Sequence, residues 1–561
     1  MKSAEDLVVA PLLDPSAAAR LFPTLTPAQI ARIAAHGTKR SMAAGEVLVE
    51  PGARPAPFLV VLEGELQILR PSPNGDELIV VLGPGQFGGE TNLMTGRPAL
   101  IRARAGASGT VIQLDHDRLL ALVQTDAELG QILLRAFILR RVELIARGYG
   151  DVIVIGSTHC AGTLRVKEFL VRNGHPHVYI DLDRESDAQE LLDRFHVSSA
   201  DIPVLICRGK DVLRNPSNQQ IADCLGFNPT IDRSHVRDLV VVGAGPAGLA
   251  AAVYGASEGL DVLVLEANAP GGQAGASSRI ENYLGFPTGI SGAELTGRAQ
   301  AQALKFGAQI LVARRAAQLV CDRQQYLVEI DAGAPVAART MIIATGAEYR
   351  RPPIENLAQF EGAGVYYAAT PMEAQLCADE EIVVVGGGNS AGQAAVFLAQ
   401  TCRRVHMLVR GDGLAQTMSR YLIRRIEDSP TITLHTRTEV VALEGNGHLA
   451  RVDWSPGGSS TPERHDIRHV FMMTGAVPNT RWVKGCVVMD EKGFIKTGAD
   501  LSRGDLAEAQ WPLARAPYLL ETSRPGVFAV GDVRSGNIKR VASAVGEGSI
   551  AVAFVHQVLS Q

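Results

Sequence analysis

The hydrophobic pattern is most regular in the second half of the chain. Residues 239–242 form a short apolar run typical of a buried parallel strand, and the Ala-rich segment after them has helical composition. A second apolar run begins after Asp261 and ends before Glu266. The order strand, helix, strand predicts a βαβ unit in this part of the chain.

The turn between the first strand and the helix reads Gly-Ala-Gly-Pro-Ala-Gly. Gly243 permits the tight turn, Gly245 lets the backbone approach a pyrophosphate, and Gly248 lets the helix pack closely on the strand. The helix N-terminus offers unpaired N–H groups to the phosphates. Glu266 follows about 20 residues later, where a carboxylate accepts a hydrogen bond from a ribose hydroxyl. This segment therefore predicts a dinucleotide site.

The same pattern occurs a second time further along the chain. Residues 382–385 form its first strand, and residues 405–409 form its second, which ends in Arg410 where the first unit has Glu266. A cation at this place suits a 2'-phosphate, whereas a carboxylate would repel it. The predicted binding residues of the second unit are Gly386, Gly388, Ser390, Ala391 and Arg410.

From residue 238 onward the chain resembles the low-molecular-weight thioredoxin reductases almost end to end. The matching segments are residues 270–273, 280–286, 342–346, 471–475, 531–532 and 540–542. The resemblance implies that the first unit binds FAD, that the second binds NADPH, and that Asp532 holds the ribityl chain of the flavin. It also implies further FAD contacts from Gly272, Gln273, Asn282, Gly531, Arg540, Val541 and Ala542.

One departure from this family bears on the mechanism. Thioredoxin reductases carry a Cys-x-x-Cys just before the second glycine turn, and here Ala368 and Pro371 occupy those places. Cys377 lies nearby, but a single thiol cannot close an internal disulfide. The reductase part is therefore not expected to run the usual relay from flavin to dithiol by itself.

The first part of the chain has a different pattern, with short strands between glycine turns and helices on both sides. Residues 85–93, Gly-Gln-Phe-Gly-Gly-Glu-Thr-Asn-Leu, resemble the phosphate cassette of cyclic-nucleotide-binding domains. The resemblance implies a β-roll in which Gly88 and Gly89 offer backbone N–H groups to a cyclic phosphate, while Glu90 takes the ribose hydroxyl.

The cassette departs from its family at one place. Ala99 stands where the family has its phosphate-binding arginine, and Arg97 and Arg102 flank the place without matching it. Two alternatives remain: the β-roll binds a cyclic nucleotide or another small ligand, or it is a docking or dimerisation module. No helix-turn-helix follows, which disfavours a transcription factor.

Residues 151–227 alternate strands and helices and resemble the thioredoxin/glutaredoxin fold. Cys160 stands where that family begins its Cys-x-x-Cys, here as a monothiol, and Pro203 matches the family's cis-proline. A thiolate at a helix N-terminus is stabilised by the helix dipole, and His159 stands beside it. Cys160 is therefore the candidate catalytic residue, and the alternative is an inert buried cysteine.

Composition narrows the partners and the compartment. A net charge of -5 without a long Lys/Arg run gives no reason to expect nucleic acid as a partner. The N-terminus lacks the pattern of a secretory signal, and we expect no membrane span. The 7 cysteines include no Cys-x-x-Cys pair, which favours the reducing cytoplasm and argues against a metal site or a disulfide framework.

Together these patterns predict a multidomain α/β protein with an N-terminal β-roll, in which a thioredoxin-like domain precedes two Rossmann-like dinucleotide-binding domains. The predicted domains are 15–147 (β-roll), 151–227 (thioredoxin-like), 238–351 and 476–561 (FAD-binding, in two parts) and 352–475 (NADPH-binding). The thioredoxin reductase resemblance implies a homodimer.

Three functions remain open at this stage. In the first, electrons pass from NADPH through FAD to a thiol or disulfide acceptor by way of Cys160, whose tethering raises its effective concentration at the flavin. In the second, the flavin directly reduces an external acceptor such as a ferredoxin, a quinone or a small disulfide. In the third, the protein is a sensor with little turnover, in which the β-roll binds a ligand and the redox half responds to NADPH.

Overall fold

A computed structural model of the chain describes residues 21–72, 75–89, 92–146, 152–158, 160–183, 201–207, 211–232, 235–321, 325–331, 333–457 and 461–561. Within these residues, the four larger sheets each organise one unit of the fold. The units follow one another along the chain, except that the third is completed by the C-terminal segment that comes after the fourth.

The first unit is an antiparallel β-roll closed by helices. Its elements are α1 (Pro27–Ala34), β1 (Thr38–Met42), β2 (Val47–Val49), β3 (Phe58–Ser72), β4 (Gly75–Leu82), β5 (Phe87–Gly88), α2 (Asn92–Thr95), β6 (Arg102–Leu114), α3 (His116–Thr125) and α4 (Ala127–Ala146). The long strands β3 and β6 pair along most of their length. Phe58, Phe87 and Phe137 meet in the core with ring centroids 5.7 to 6.2 Å apart. Because Phe137 belongs to α4, this helix packs into the roll.

The second unit is a small mixed sheet with two described helices. Its elements are β7 (Val152–Gly156), α5 (Ala161–Arg172), β8 (Val178–Asp181), β9 (Val204–Cys207), β10 (Asp211–Arg214) and α6 (Asn218–Cys224). The strand order is β10-β9-β7-β8, with β8 parallel and β9 antiparallel to β7. The peptide bond between Ile202 and Pro203 is cis. The helix predicted between β8 and β9 falls on residues outside the described ranges.

The third unit is built on a sheet with a parallel centre. Its first part comprises β11 (Arg237–Val242), α7 (Pro246–Ser257), β12 (Val262–Leu265), α8 (Gly272–Gly275), α9 (Gly292–Lys305), β13 (Gln309–Leu311), β14 (Ala316–Val320), β15 (Tyr326–Ile330) and β16 (Val336–Ile343). Strand β11 lies between β12 and β16, parallel to both. The apolar run predicted as a strand is buried because it forms the centre of this sheet.

The fourth unit is inserted into the third and has a five-stranded parallel sheet. Its elements, with the flanking ribbon strands β17 (Ala347–Tyr349) and β26 (Ala476–Pro478), are α10 (Leu357–Phe360), β18 (Val365–Tyr366), α11 (Pro371–Leu376), β19 (Glu381–Val385), α12 (Asn389–Leu398), β20 (Arg404–Val409), α13 (Arg420–Glu427), β21 (Ile432–Thr436), β22 (Thr438–Gly445), β23 (Leu449–Pro456), β24 (Glu463–His465) and β25 (Val470–Met472). The main sheet has the order β18-β25-β19-β20-β21, and β22 to β24 form a second layer. Strands β17 and β26 pair where the chain enters and leaves the unit.

The C-terminal segment returns to the third unit. It contains α14 (Arg503–Glu508), β27 (Val527–Ala529) and α15 (Val541–Leu559), and β27 pairs in parallel with β16. Helix α15 crosses α7 so closely that a Cβ at Gly548 would lie 2.2 Å from the carbonyl oxygen of Ala247. By length and hydropathy, α15 is the only helix in the described ranges that could span a membrane.

A disulfide joins the two chain segments of the third unit. Cys321 follows β14, Cys486 lies in the C-terminal segment, and their sulfur atoms are bonded although 165 residues separate them in sequence. The expectation that no disulfide forms is therefore wrong for this pair. The cysteine spacing does not predict this bond, because the fourth unit lies between the two residues in sequence and they meet only in the folded chain.

Candidate functional site

The first glycine turn has the backbone that a dinucleotide site requires. Gly243 has φ +103°, and a Cβ there would lie 2.3 Å from the carbonyl oxygen of Ala344. A Cβ at Gly248 would lie 1.8 Å from the carbonyl oxygen of Gly243. Near Gly245, the nearest atom to an added Cβ is the Cα of Gly272, at 3.8 Å. The turn is therefore closed toward the protein and bordered by glycine on its other side, as a pyrophosphate cradle requires.

Glu266 is held at the end of β12 beside this turn. Its Oε2 accepts a hydrogen bond from the Ala244 N–H at 2.8 Å, and its Oε1 accepts one from the Asn268 N–H at 2.9 Å. Burial raises the pKa of this carboxyl group, and the two backbone donors oppose that shift. The side chain is thus fixed at the place where the sequence predicts a ribose contact.

The C-terminal segment brings the next group of predicted FAD residues to the same turn. The Gly531 N–H donates to Glu547 Oε2 at 2.6 Å, and a Cβ at Gly531 would lie 3.1 Å from the Ala247 side chain on α7. Burial raises the pKa of the neighbouring Asp532 carboxyl group. The structure therefore places Asp532 beside the helix that begins at the first glycine turn.

The remaining predicted FAD residues line the open side of this region. Gln273 and Asn282 are exposed, Gly272 is half-buried, and the Gln273 side chain donates to the carbonyl oxygen of Ala347. The segment that begins α15 is accessible as well, with Arg540 and Ala542 exposed and Val541 half-buried. Their contact with the flavin ring stays a prediction.

The second glycine turn has the same construction. Gly386 has φ +140°, and a Cβ there would lie 2.4 Å from the carbonyl oxygen of Met473. A Cβ added to Gly388 would have no described atom within 4 Å, so this side of the turn is open. Ala391 lies buried in the first turn of α12, 3.2 Å from a Cβ added at Gly386. Arg410 is exposed directly after β20, and no carboxylate of the described residues pairs with it. The guanidinium is thus accessible to a phosphate.

Tyr349 connects the two dinucleotide sites and was not singled out by the sequence. Burial raises the pKa of its hydroxyl, a hydrogen bond with Ser390 opposes the shift, and the charge of Asp532 adds to it. Ser390 belongs to the second glycine turn and Asp532 to the first site. Because the Tyr349 side chain interacts with both residues, the two predicted sites lie next to each other. Hydride transfer between two bound cofactors requires this proximity.

The segment that replaces the family's Cys-x-x-Cys, residues 368–371, leads into α11, which begins at Pro371. Thr370 caps α11 in a reciprocal box with Glu373, which is buried and whose pKa is raised by burial. Cys377 ends this helix, and its sulfur lies 3.5 Å from the sulfur of Cys402. The sequence predicts a single thiol at Cys377, whereas in the structure the Cys402 thiol lies beside it. The hydrogen bond with Cys402 and burial raise the pKa of the Cys377 thiol.

Cys160 occupies the N-cap of α5 and is half-buried. The first turn of α5 packs on Pro203, since a Cβ at Gly162 would lie 2.8 Å from the proline Cδ. On the other side, a Cβ at Gly362 of the fourth unit would lie 2.8 Å from the Cβ of Ala161. Cys160 thus stands at the junction of the second and fourth units. His159 lies outside the described residues.

The cassette of the β-roll is partly described. Gly88 is buried in β5, and Gly89 has φ +126° and lies against Leu93, whereas Glu90 falls outside the described residues. Ala99 is buried in the core of the roll. The place of the family's phosphate-binding arginine is therefore taken by a core side chain.

The two arginines that flank this place are engaged elsewhere. Arg97 donates to the carbonyl oxygen of Asn173 in the second unit at 3.1 Å and lies 4.2 Å from the ring centroid of Phe227. Arg102 binds two carboxylates of the roll, Glu50 at 2.9 Å and Asp76 at 2.5 Å. Neither guanidinium is available to replace the missing phosphate contact in this arrangement.

No group of three or more His, Cys, Asp or Glu residues that could hold a metal ion occurs in the described part of the chain. The functional groups that the described structure brings together are two adjacent dinucleotide sites and a thiol at a domain junction. This combination defines a flavoprotein oxidoreductase that uses a nicotinamide cofactor.

Comparison with known proteins identifies the family. Residues 237–548 match the pyridine nucleotide-disulphide oxidoreductase family, and residues 39–126 match the cyclic nucleotide-binding domain. The chain therefore belongs to the pyridine nucleotide-disulphide oxidoreductases and carries an N-terminal β-roll of the cyclic nucleotide-binding type. It is an FAD-dependent NAD(P)H oxidoreductase of the thioredoxin reductase-like class, with FAD and NADPH as its cofactors.

Individual relatives agree with this placement. The chain is 30% identical to the thioredoxin reductase of Bacillus subtilis over 58% of its length and 96% of the relative's. It is 32% identical to the thioredoxin reductase of Mycolicibacterium smegmatis over 56% of its length and 94% of the relative's. The solved thioredoxin reductase of Lactococcus lactis has a TM-score of 0.52 and 26% identity, covering 58% of this chain and 100% of that chain.

The position of Arg410 predicts the coenzyme preference. We expect Arg410→Ala to raise the KM for NADPH about tenfold or more, because it removes a charge-assisted contact with the 2'-phosphate. The KM for NADH should stay unchanged. Arg403→Ala, an exposed arginine at the other end of β20, is the matched control. An equal rise for both coenzymes would contradict the assignment.

Proposed function

We propose that the protein passes electrons from NADPH through FAD to a thiol or disulfide acceptor, with Cys160 as the thiol that exchanges with that acceptor. Bound FAD supplies the chemistry that converts a hydride from NADPH into two transferable electrons. The chain's own contribution is to hold the two cofactor sites side by side and to present Cys160 where the second unit meets the fourth.

The position of α5 carries this proposal. Ala161 touches the loop at Gly362, and Leu164 packs against the core cluster of the fourth unit, to which Ala369 belongs. Ala369 belongs to the segment that stands where related reductases carry their Cys-x-x-Cys. Helix α5 therefore brings the Cys160 thiol to the part of the reductase that has lost its own dithiol.

A single cysteine is sufficient for the reduction of an acceptor disulfide. The Cys160 thiolate attacks one sulfur of the acceptor disulfide, forms a mixed disulfide with it, and releases the other sulfur as a thiolate. Two electrons delivered by way of the flavin, with a proton, then break the mixed disulfide. This regenerates the Cys160 thiolate and releases the second acceptor thiol.

The second unit is proposed to be thioredoxin-like. Its support is the strand order β10-β9-β7-β8, the parallel pair β7 and β8 joined by α5, and the packing of Pro203 against the helix that Cys160 caps. Because this unit is covalently fused, the effective concentration of its thiol at the reductase is fixed by geometry and not by encounter.

For the β-roll, we propose a docking role in preference to a ligand-binding role. Arg97 binds the second unit, and Arg54 donates to the carbonyl oxygen of Gly226 at 3.2 Å. Gln124 donates to the carbonyl oxygen of Lys305 in the third unit at 2.5 Å. These contacts use surface of the roll for packing, while Ala99 removes the main phosphate contact. Binding of a cyclic nucleotide would be detected by calorimetry with the intact protein.

An anaerobic NADPH titration tests the electron path. The protein is first exposed to oxidised glutathione, which loads Cys160 as a mixed disulfide, and is then desalted. We expect about two NADPH per FAD for the loaded wild type and about one for Cys160→Ser, because the flavin alone stores two electrons. The bleaching of the flavin absorbance is the measured signal.

Two controls separate Cys160 from the other thiols. Cys224→Ser removes another half-buried cysteine of the second unit, and the double variant Cys377→Ser with Cys402→Ser removes the buried pair of the fourth unit. Both should keep the wild-type stoichiometry. A loaded wild type that needs only one NADPH per FAD would favour direct reduction of an external acceptor. A flavin that NADPH does not bleach would exclude both enzymatic routes.

A further inference from the structure

The far end of helix α5 reaches the FAD site. Arg172, its last residue, donates through Nη2 to the carbonyl oxygen of Gly272 at 2.9 Å. Gly272 belongs to the segment predicted to touch FAD, and it lies in the third unit. The helix that Cys160 caps at one end therefore contacts the fourth unit at its beginning and the FAD domain at its end.

Gly272 stands directly against the pyrophosphate turn. A Cβ added to it would lie 3.1 Å from the Cα of Gly245 and 3.8 Å from the Gly245 nitrogen. Arg172 also acts on the buried carboxyl group of Glu266, because its positive charge lowers the Glu266 pKa against the opposing effect of burial. The guanidinium is thus close to the carboxylate that flanks the same turn.

The buried Nε–H of Arg172 has no acceptor among the described residues. The Nη1 of the same guanidinium is 3.3 Å from Glu168, and its Nη2 binds Gly272. Leaving a buried charged donor unsatisfied costs free energy, so native structures usually supply an acceptor. An anionic cofactor bound at the adjacent glycine turn would supply such an acceptor.

A second contact from the same unit holds the adjoining loop. The Asn218 side chain donates to Asn268 Oδ1 at 2.9 Å and accepts from Arg165 at 2.8 Å. The Asn268 N–H in turn donates to Glu266. The second unit therefore supports both the Glu266 loop and the Gly272 loop, which border the glycine turn from two sides.

We propose that Arg172 is an FAD-binding residue supplied by the fused second unit, and that its guanidinium binds the cofactor's pyrophosphate. Guanidinium groups bind phosphate through several directed N–H groups, and this one is already oriented by Gly272 and Glu168. The FAD site is then complete only when the second unit is in place, which gives the fusion a role in cofactor retention besides the thiol.

Cofactor binding to the deflavinated full-length protein tests this assignment. We expect Arg172→Met to weaken FAD binding about tenfold or more, measured by quenching of flavin fluorescence, because a charge-assisted phosphate contact is lost. Binding of riboflavin, which has no phosphate, should be unchanged by the substitution. Arg172→Lys should recover part of the FAD affinity, since it keeps the charge but not the planar donors.

The control is Lys167→Met, which removes a cation from the same helix where it faces Tyr179. It should bind both flavins like the wild type. Equal losses of FAD and riboflavin affinity would show that Arg172 only supports the Gly272 loop. Unchanged FAD affinity would exclude any role of Arg172 in FAD binding. Either result overturns the proposal. If Arg172→Met does not fold, Arg172→Lys with the same two flavins decides. Cys160 takes no part in this assay, so its outcome is independent of the electron path.

Discussion

Cys160→Ser is expected to lower NADPH-driven disulfide reduction by at least about 100-fold, because a serine hydroxyl cannot form the mixed disulfide through which electrons reach the acceptor. Bleaching of the flavin by NADPH should remain, since neither cofactor site contains this residue. The measurement is steady-state turnover with a small aliphatic disulfide, combined with stopped-flow reduction of the flavin. The two readouts separate loss of the thiol from loss of the cofactor.

The matched control is Cys224→Ser, a half-buried cysteine in the same unit. It should retain full turnover. If Cys160→Ser also retains turnover with the disulfide, the flavin reduces the acceptor directly and the proposed role of the fused unit is excluded. Turnover with a quinone should be the same in both variants if the thiol is needed only for disulfides.

The double variant Cys321→Ala with Cys486→Ala is expected to lower the free energy of unfolding of the FAD domain by about 5 kcal/mol, from the chain entropy released when a loop of this length is opened. The closed loop spans 165 residues and contains the whole NADPH domain. Both cysteines belong to one sheet-based core, so the bond restricts the unfolded chain and ties the two segments of that core together. Urea unfolding followed by flavin fluorescence measures the effect.

Chemical reduction of the disulfide in the wild type should reproduce this loss of unfolding free energy. With dithiothreitol present, the wild-type midpoint should fall to that of the double variant, and the double variant should not respond. Cys377→Ser with Cys402→Ser serves as a control pair, because these thiols are close but not bonded. A wild-type midpoint that ignores the reductant would contradict the stabilising role of the disulfide.

The dinucleotide motifs could be predicted because they are local. In each, a strand, a glycine turn and a helix are contiguous, and steric contact within the segment decides which residue can stand there. A Cβ at Gly248 would lie 1.8 Å from the carbonyl oxygen of Gly243, and one at Gly386 would lie 2.4 Å from that of Met473, so both positions that the sequence singled out require glycine. The class of oxidoreductase was predictable for the same reason.

The interfaces could not be predicted in this way. Arg97 lies two residues before the place of the family's phosphate-binding arginine, and its guanidinium binds Asn173 of the next unit, because the β-roll packs there. The contact of Tyr349 with Ser390 depends on how two domains meet. No periodicity or spacing encodes such contacts, since they join surfaces that are remote in sequence.

The sequence by itself determined the order of the units, the two glycine turns, the acid and the arginine that distinguish them, and the loss of the Cys-x-x-Cys. Only the tertiary structure decided which cysteines meet, that the helix capped by Cys160 packs on the fourth unit, and that Arg172 contacts Gly272 beside the first glycine turn. The physical reason is range: backbone sterics act within a few residues, whereas a thiol pair or a guanidinium contact exists only after distant segments have packed.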